Sequence, residues 1–174
     1  DFLKATGMAG GGLMLAIGLP GDGGLGGRLA HAQQAAEKVP YPPAAFVRIG
    51  TDDSITVLIN KLEFGQGVLT SMAMLVAEDL DCDWSKVRAQ HAPAAQVYAH
   101  PGFGIQMTGG STSIASSWRQ YRTIGASARL MLIQAAAKTW GISAERIDTR
   151  AGTVIELGGQ RRRASYGSLA EAAM

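Results

Sequence analysis

A chain of 174 residues has room for one domain and a tail, and its 16 basic against 14 acidic side chains leave a net charge of +2. So slight a charge exerts no long-range pull on nucleic acid, and no basic run is interleaved with aromatics as a strand-binding groove requires. The 23 glycines fall in short groups without a period, which excludes collagen-like sequence and points to tight turns, while Cys82, alone, can form no internal disulfide.

From the amino end, Lys4 precedes a mildly apolar stretch, residues 9–19, diluted by Gly10, Gly11, Gly12 and Gly18. That is too short for the ~20 residues a membrane-crossing helix takes. A short, weakly apolar run followed by small residues reads instead as a cleavable export signal. Ala30-His31-Ala32 supplies a small-x-small site, so residues 1–32 are expected to be the signal, with cleavage after Ala32. An apolar helix of the domain is the competing reading, disfavoured by the glycines. Residues 33–44, with Pro40, Pro42 and Pro43, read as a linker, which leaves 45–174 as the folded part. The chain starts without Met and stops at Met174 where residues 165–173 begin to read as a helix, so a fragment is expected.

Within that part, residues 45–50 and 54–60 are β-rich runs separated by Thr51-Asp52-Asp53, a hairpin signal. Val68, Met72, Leu75, Val76 and Leu80 fall at helical spacing, and residues 87–91 alternate as a strand does. Residues 92–107 carry Pro93, Pro101, Gly102 and Gly104 and read as a long loop, a feature that is often functional. The spacing predicts a second helix over 114–140 with Ile114, Trp118, Tyr121, Ile124, Ala128 and Met131 as its buried stripe. Residues 148–157 read as a turn and a strand, with Gly152 at the turn. The order β-β-α-β-α-β implies an α+β fold, a mixed sheet with two main helices packed on one face.

Two glycine turns stand directly before the helices. In Glu63-Phe64-Gly65-Gln66-Gly67, glycines on both sides of a polar side chain let backbone approach a ligand, and the helix start behind them offers N–H groups to an anion. Gln66 both donates and accepts, which suits a heterocycle edge or a phosphate. In Thr108-Gly109-Gly110-Ser111-Thr112-Ser113, glycines, hydroxyls and a helix start make a cradle for phosphate oxygens, though no Lys follows in the register of a P-loop. Each has a plain alternative, an ordinary glycine turn for the first and an N-cap at Ser111 or Ser113 for the second.

Those turns sit in a longer run: 62–68 with Thr70, Met74-Leu75-Val76-Ala77-Glu78-Asp79-Leu80, Asp83-Trp84-Ser85-Lys86-Val87-Arg88, His91-Ala92-Pro93-Ala94 and 106–113. The run resembles the large molybdopterin-binding subunit of the isoquinoline 1-oxidoreductase beta type, within the xanthine oxidase/aldehyde oxidoreductase family. The likeness spans roughly residues 45–140, and Ser165-Tyr166-Gly167-x-Leu169-Ala170 fits more loosely. Asp1-Phe2-Leu3-Lys4 resembles the second half of a twin-arginine export motif, which implies a periplasmic or periplasm-facing location. The resemblance implies that Phe64, Gly65, Gln66 and Gly67, with Thr108, Gly109, Gly110 and Ser111, grip molybdopterin carrying molybdenum, in its cytosine dinucleotide form. Phe64 stands where distant relatives often have methionine, and Gly109 where they have serine. It further implies hydroxylation of an N-heteroaromatic or an aldehyde with water as oxygen source, [2Fe-2S] clusters on a small iron–sulfur partner subunit, contact with the remainder of the large subunit, and a cytochrome c as a further partner. The family's catalytic glutamate belongs to the far end of a much longer chain, so no catalytic residue is assigned here and the fragment alone is expected to be inactive.

The competing function is an exported binding or interaction module with the same fold and no catalysis. His91 and His100 lack ligands at metal spacing, so no metal site is assigned. Cys82, flanked by Asp81 and Asp83, is expected to be a poor thiolate. Trp84, Trp118 and Trp140 read as core or interface anchors. Arg119, Arg122 and Arg129 share one side of the second helix, read either as a solvated face or as a contact for phosphates or another part of the subunit. Arg161-Arg162-Arg163 reads as a loop.

Overall fold

The computed structural model describes residues 41–100 and 102–174; the export signal expected at 1–32, and all of the expected linker up to residue 40, lie outside the described residues. In chain order come α1 (Pro43–Phe46), β1 (Val47–Ile49), β2 (Ile55–Ile59), α2 (Val68–Leu80), β3 (Val87–His91), α3 (Ser113–Trp140), β4 (Ile147–Arg150), β5 (Thr153–Glu156), β6 (Arg163–Ser165) and α4 (Tyr166–Leu169).

The α+β class is the observed one, but the strands form two sheets rather than one. The first has the order β1-β2-β3, and the second β4-β5-β6. β1 runs antiparallel to β2, whereas β2 and β3 are parallel, with Ile55 opposite Val87 and Ile59 opposite His91. A parallel pair needs a long crossover, and α2 supplies it. The second sheet is antiparallel throughout. Its β4–β5 hairpin turns on Ala151-Gly152, both at positive φ (45° and 80°), the conformation that matches strand twist in a two-residue hairpin. Ala-Gly is a weak form of that turn signal, which is why 148–157 read as a turn and a single strand. Arg163, expected in a loop, opens β6.

Both long helices pack into one core with the first sheet, through Val68, Met72, Val76 and Leu80 of α2 and Tyr121, Ile124, Ala128 and Leu132 of α3. The buried face of α3 keeps Tyr121, Ile124 and Ala128 of the expected stripe but leaves Trp118 out. Trp118 is 51% exposed, its ring lying under the Arg122 guanidinium. The cause is close approach at Gly125: a Cβ there would lie 2.5 Å from the Val76 carbonyl oxygen. The helices therefore meet over small residues, and Trp118 is displaced to the rim. Trp84 is exposed too, while Trp140 packs against the core.

Tyr121 joins α3 to the end of β2, donating to the Leu58 carbonyl (2.9 Å) and accepting from the Asn60 amide (3.0 Å). Phe46 wedges edge-on between Tyr121 and Tyr98. These contacts fix where the chain leaves β2, and so where the first glycine turn begins.

Candidate functional site: two glycine turns and a buried lysine

The first turn, residues 62–67, is closed by its own side chains. Glu63 accepts from the amides of Gly65 (2.7 Å), Gly67 (3.0 Å) and Leu69 (2.9 Å). Its carboxyl is held below the usual range, first by the Leu69 amide and then by that of Gly67. The amides at the start of α2, which the sequence offered to an external anion, are thus already matched by a carboxylate of the chain. Gln66 is also engaged: its Oε1 accepts from the Phe64 amide (2.8 Å) and its Nε2 donates to the Leu62 carbonyl (2.7 Å). A carboxamide keeps one N–H and one lone pair beyond these bonds, so Gln66 can still touch a ligand while shaping the turn. Gly65 (φ 107°) and Gly67 (φ 81°) hold conformations that favour glycine, and a Cβ at either would meet nothing within 4 Å. Open space rather than crowding surrounds that backbone. Phe64 is 71% exposed above it.

The second turn is built the other way. Gly110 and Ser111 both have positive φ (63° and 54°), and Thr112 precedes α3 with its hydroxyl turned back to the Gly109 carbonyl (2.9 Å). No side chain caps α3, and its first turn carries no acid. The alternative reading, an N-cap at Ser111 or Ser113, is not what the structure has; Thr112 holds the cap position of this 28-residue helix and its side chain makes no capping bond. Its leading amides keep the partial positive charge that draws an anion.

The two turns touch. The Leu62 amide donates to Thr108 Oγ1 (2.7 Å), and Lys61 Nζ donates to the Met107 carbonyl (3.3 Å). Between them lies a cavity of about 320 Å³ whose lining includes Lys61, Phe64, His91, Met107 and Thr108. Of the eight residues assigned from the sequence, Phe64 and Thr108 line it; Gly65, Gln66, Gly67, Gly109, Gly110 and Ser111 form the turns on either side.

Sequence reasoning passed over Lys61 and Glu63. Lys61 is buried (3% exposed), and burial pushes its pKa down to about 8. The signal was a lysine continuing an apolar strand, Leu58-Ile59-Asn60-Lys61, where a solvated residue would be usual. His91 holds the Lys61 carbonyl through Nδ1 at 3.2 Å, and since a carbonyl only accepts, Nδ1 carries the proton. His100 is also buried, its ring 4.6 Å from that of Phe103 and its Nε2 without a hydrogen-bond partner among the described residues. Burial first, and the Lys61 charge second, keep His100 below its ordinary pKa.

Other side chains settle into structural roles. Arg122 grips Asp79 with two bonds (2.7 and 3.1 Å), and Arg129 pairs with Asp148 (2.8 Å), so neither presents a free guanidinium to phosphate. Cys82 is pushed up to about 11, by burial first and by Asp81 and Asp83 after it.

Known proteins agree with this architecture. Residues 21–174 match the molybdopterin cofactor-binding domain family. The chain is 36% identical over 146 residues to the beta subunit of isoquinoline 1-oxidoreductase from Brevundimonas diminuta, covering 80% of this chain and 19% of that protein. It is 31% identical over 121 residues to a membrane-bound aldehyde dehydrogenase, named for pyrroloquinoline quinone, from Gluconacetobacter polyoxogenes (70% and 15% of the two chains). A nicotinate dehydrogenase subunit from Pseudomonas putida is 28% identical over 116 residues (67% and 9%). The chain thus spans less than a fifth of the length of these curated relatives. The fold also matches quinoline 2-oxidoreductase from Pseudomonas putida 86, with a TM-score of 0.54 at 19% identity over 72% of this chain and 15% of that one. The α+β fold agrees with that structural match, and the family match over most of the chain shows that the chain belongs to the molybdopterin cofactor-binding domain family.

Proposed function

We propose that this chain is the part of an exported molybdenum hydroxylase that holds molybdopterin between its two glycine turns. The observation that carries this reading is the asymmetry of the turns: Glu63 closes the first, while the amino end of α3 behind the second has no capping side chain. That open end fits a phosphate of the cofactor, in its cytosine dinucleotide form, and the exposed backbone at Gly65 and Gly67 fits the flat pterin. Thr108, Gly109, Gly110 and Ser111 would hold the phosphate side, and Phe64, Gly65, Gln66 and Gly67 the pterin side. When bound, the cofactor supplies hydroxylation of an N-heteroaromatic carbon or an aldehyde with oxygen from water. This chain's residues bind and orient it, and the catalytic carboxylate comes from elsewhere in the full subunit. The partners this reading adds are a small iron–sulfur subunit carrying [2Fe-2S] clusters, the remainder of the large subunit and a cytochrome c. What supports export is the sequence alone, Phe2-Leu3-Lys4 and the small-residue site at Ala30-His31-Ala32.

The test is pterin content, read by fluorescence after oxidative release from the full-length subunit. Changing Gln66→Ala and Ser111→Ala together is expected to reduce bound pterin at least tenfold while the protein still melts cooperatively. Unchanged pterin in the double variant would remove both turns from the site.

A further inference from the structure

Lys61 presents an ammonium group that no carboxylate among the described residues neutralises. Its side chain is 3% exposed, so the charge has not been carried out to water along a flexible stem. Among the described residues its hydrogen-bond partner is a neutral acceptor, the Met107 carbonyl at 3.3 Å. Among the described residues every ion pair is made by an arginine: Arg122 with Asp79, Arg129 with Asp148, and Arg146 and Arg162 with Glu156. The acid nearest in sequence, Glu63, has both carboxylate oxygens turned to the amides of its own loop. The imidazole that feels the Lys61 charge, His100, is disfavoured as a second cation by it. A buried charge without a counter-charge costs several kcal/mol, and an apolar side chain of similar length would avoid that cost. Lys61 also lines the cavity between the two turns, so space for a counter-charge lies directly beside it.

We propose that Lys61 is the counter-cation for an anionic oxygen of the group held between the turns, a phosphate or a comparable oxyanion. This deepens the cofactor reading and rests on it for the identity of the ligand. Met107 fixes the ammonium on the side of the second turn and His91 fixes the backbone from which it extends, so the charge is placed before the ligand arrives. Lys61 acts by binding, and takes no part in proton transfer.

The experiment compares wild type, Lys61→Met and Lys61→Arg in the full-length subunit, loaded and apo. For the loaded protein the rate of cofactor loss is followed by released pterin. Lys61→Met is expected to lose it at least tenfold faster, and Lys61→Arg to stay within threefold of wild type. For the apo protein the melting temperature of Lys61→Met is expected to equal or exceed that of wild type, because an unpaired buried charge has gone. Wild-type retention by Lys61→Met, or failure of Lys61→Arg to restore retention, overturns the proposal, as does an apo Lys61→Met that melts well below wild type, which would make the lysine structural. Should the wild-type subunit carry no pterin, the cofactor reading fails separately, and inorganic phosphate added to apo protein decides the rest. A rise in melting temperature for wild type but not for Lys61→Met keeps Lys61 as an oxyanion counter-cation, and equal behaviour of the two overturns it.

Discussion

At the scale of single residues, two charged side chains separated by one position, Lys61 and Glu63, organise the site, and they do opposite things. Glu63 satisfies amides of its own turn, whereas Lys61 makes no ion pair among the described residues. The consequence for Glu63 has a definite sign. Its folded pKa is depressed, so its stabilisation is present above the ordinary glutamate range and disappears as pH falls through the lower folded value. The protection factor of the Leu69 amide, its exchange rate corrected for the ordinary slowing of base-catalysed exchange at low pH, should therefore fall on acidification in wild type. In Glu63→Gln it should be low already at neutral pH; equal protection in the two proteins at pH 7 would show that the carboxylate does not hold the turn. Lys61 has the opposite linkage. Its pKa is lowered to about 8 from the ordinary 10.5, so the cost of its burial is full below pH 8 and fades as pH rises toward 10.5. Any melting-temperature advantage of apo Lys61→Met over wild type should shrink across that interval. A gap that stays constant from pH 7 to 10.5 would argue against a desolvated ammonium. Neither role was legible beforehand, because a one-letter string shows a charge but not whether the fold closes around it. The glycines were legible, since positive φ at Gly65, Gly67 and Gly110 is what such spacing exists to allow.

At the scale of elements, periodicity found α2 and β3 with their observed bounds, Val68–Leu80 and Val87–His91, because each buries one face in the regular way. It found α3 to within one residue of Ser113–Trp140 but put Trp118 in its buried stripe and passed over Gly125, where the contact with α2 is made. A sequence pattern weights large apolar residues, and close approach of two helix backbones is carried by the absence of a side chain. Gly125→Ala brings the two effects into competition. Alanine favours a helix interior by about 1 kcal/mol over glycine, but a Cβ at 2.5 Å from the Val76 carbonyl forces overpacking of about 1–3 kcal/mol. The backbone is the obstacle and cannot swing aside, so the steric cost wins and the variant should be less stable by up to about 2 kcal/mol in urea denaturation. A more stable variant would show that the helices separate easily. The antiparallel second sheet was only half visible for a related reason. Its anchor is Asp81, at the end of α2, which accepts from Thr149 Oγ1 (2.7 Å) and the Ala151 amide (3.3 Å) across nearly seventy positions of sequence.

At the scale of the whole molecule, that anchor couples the two sheets. Asp81 takes the left-handed conformation (φ 54°), the Gly152 amide donates to its carbonyl (2.8 Å), and Tyr166 donates to the Leu80 carbonyl (2.7 Å). Burial pushes the Tyr166 hydroxyl up to about 12, in keeping with a phenol kept as a donor. Asp81→Ala should cost about 2 kcal/mol, through two lost acceptors and a left-handed position that alanine tolerates poorly. Amides of 147–156 should then exchange faster than those of the first sheet, and uniform loosening of both would contradict a local joint. The result is a frame in which the carboxyl end of α2 is tied to the second sheet, while the two glycine turns ahead of α2 and α3 flank the Lys61 cavity. Family membership follows from the length and continuity of the matched sequence. The division of labour between the turns follows only from where Glu63 and Lys61 point.

That division is the central claim, and amide hydrogen exchange on the full-length subunit with and without its cofactor tests it most directly. Loading should slow exchange at Ser113, Ile114 and Ala115 by tenfold or more, because those amides begin an uncapped helix. Gly65, Gly67 and Leu69, already bonded to Glu63, should change little. Protection gained at the first turn and absent from the second would mean that the bound group displaces Glu63, and would contradict the account.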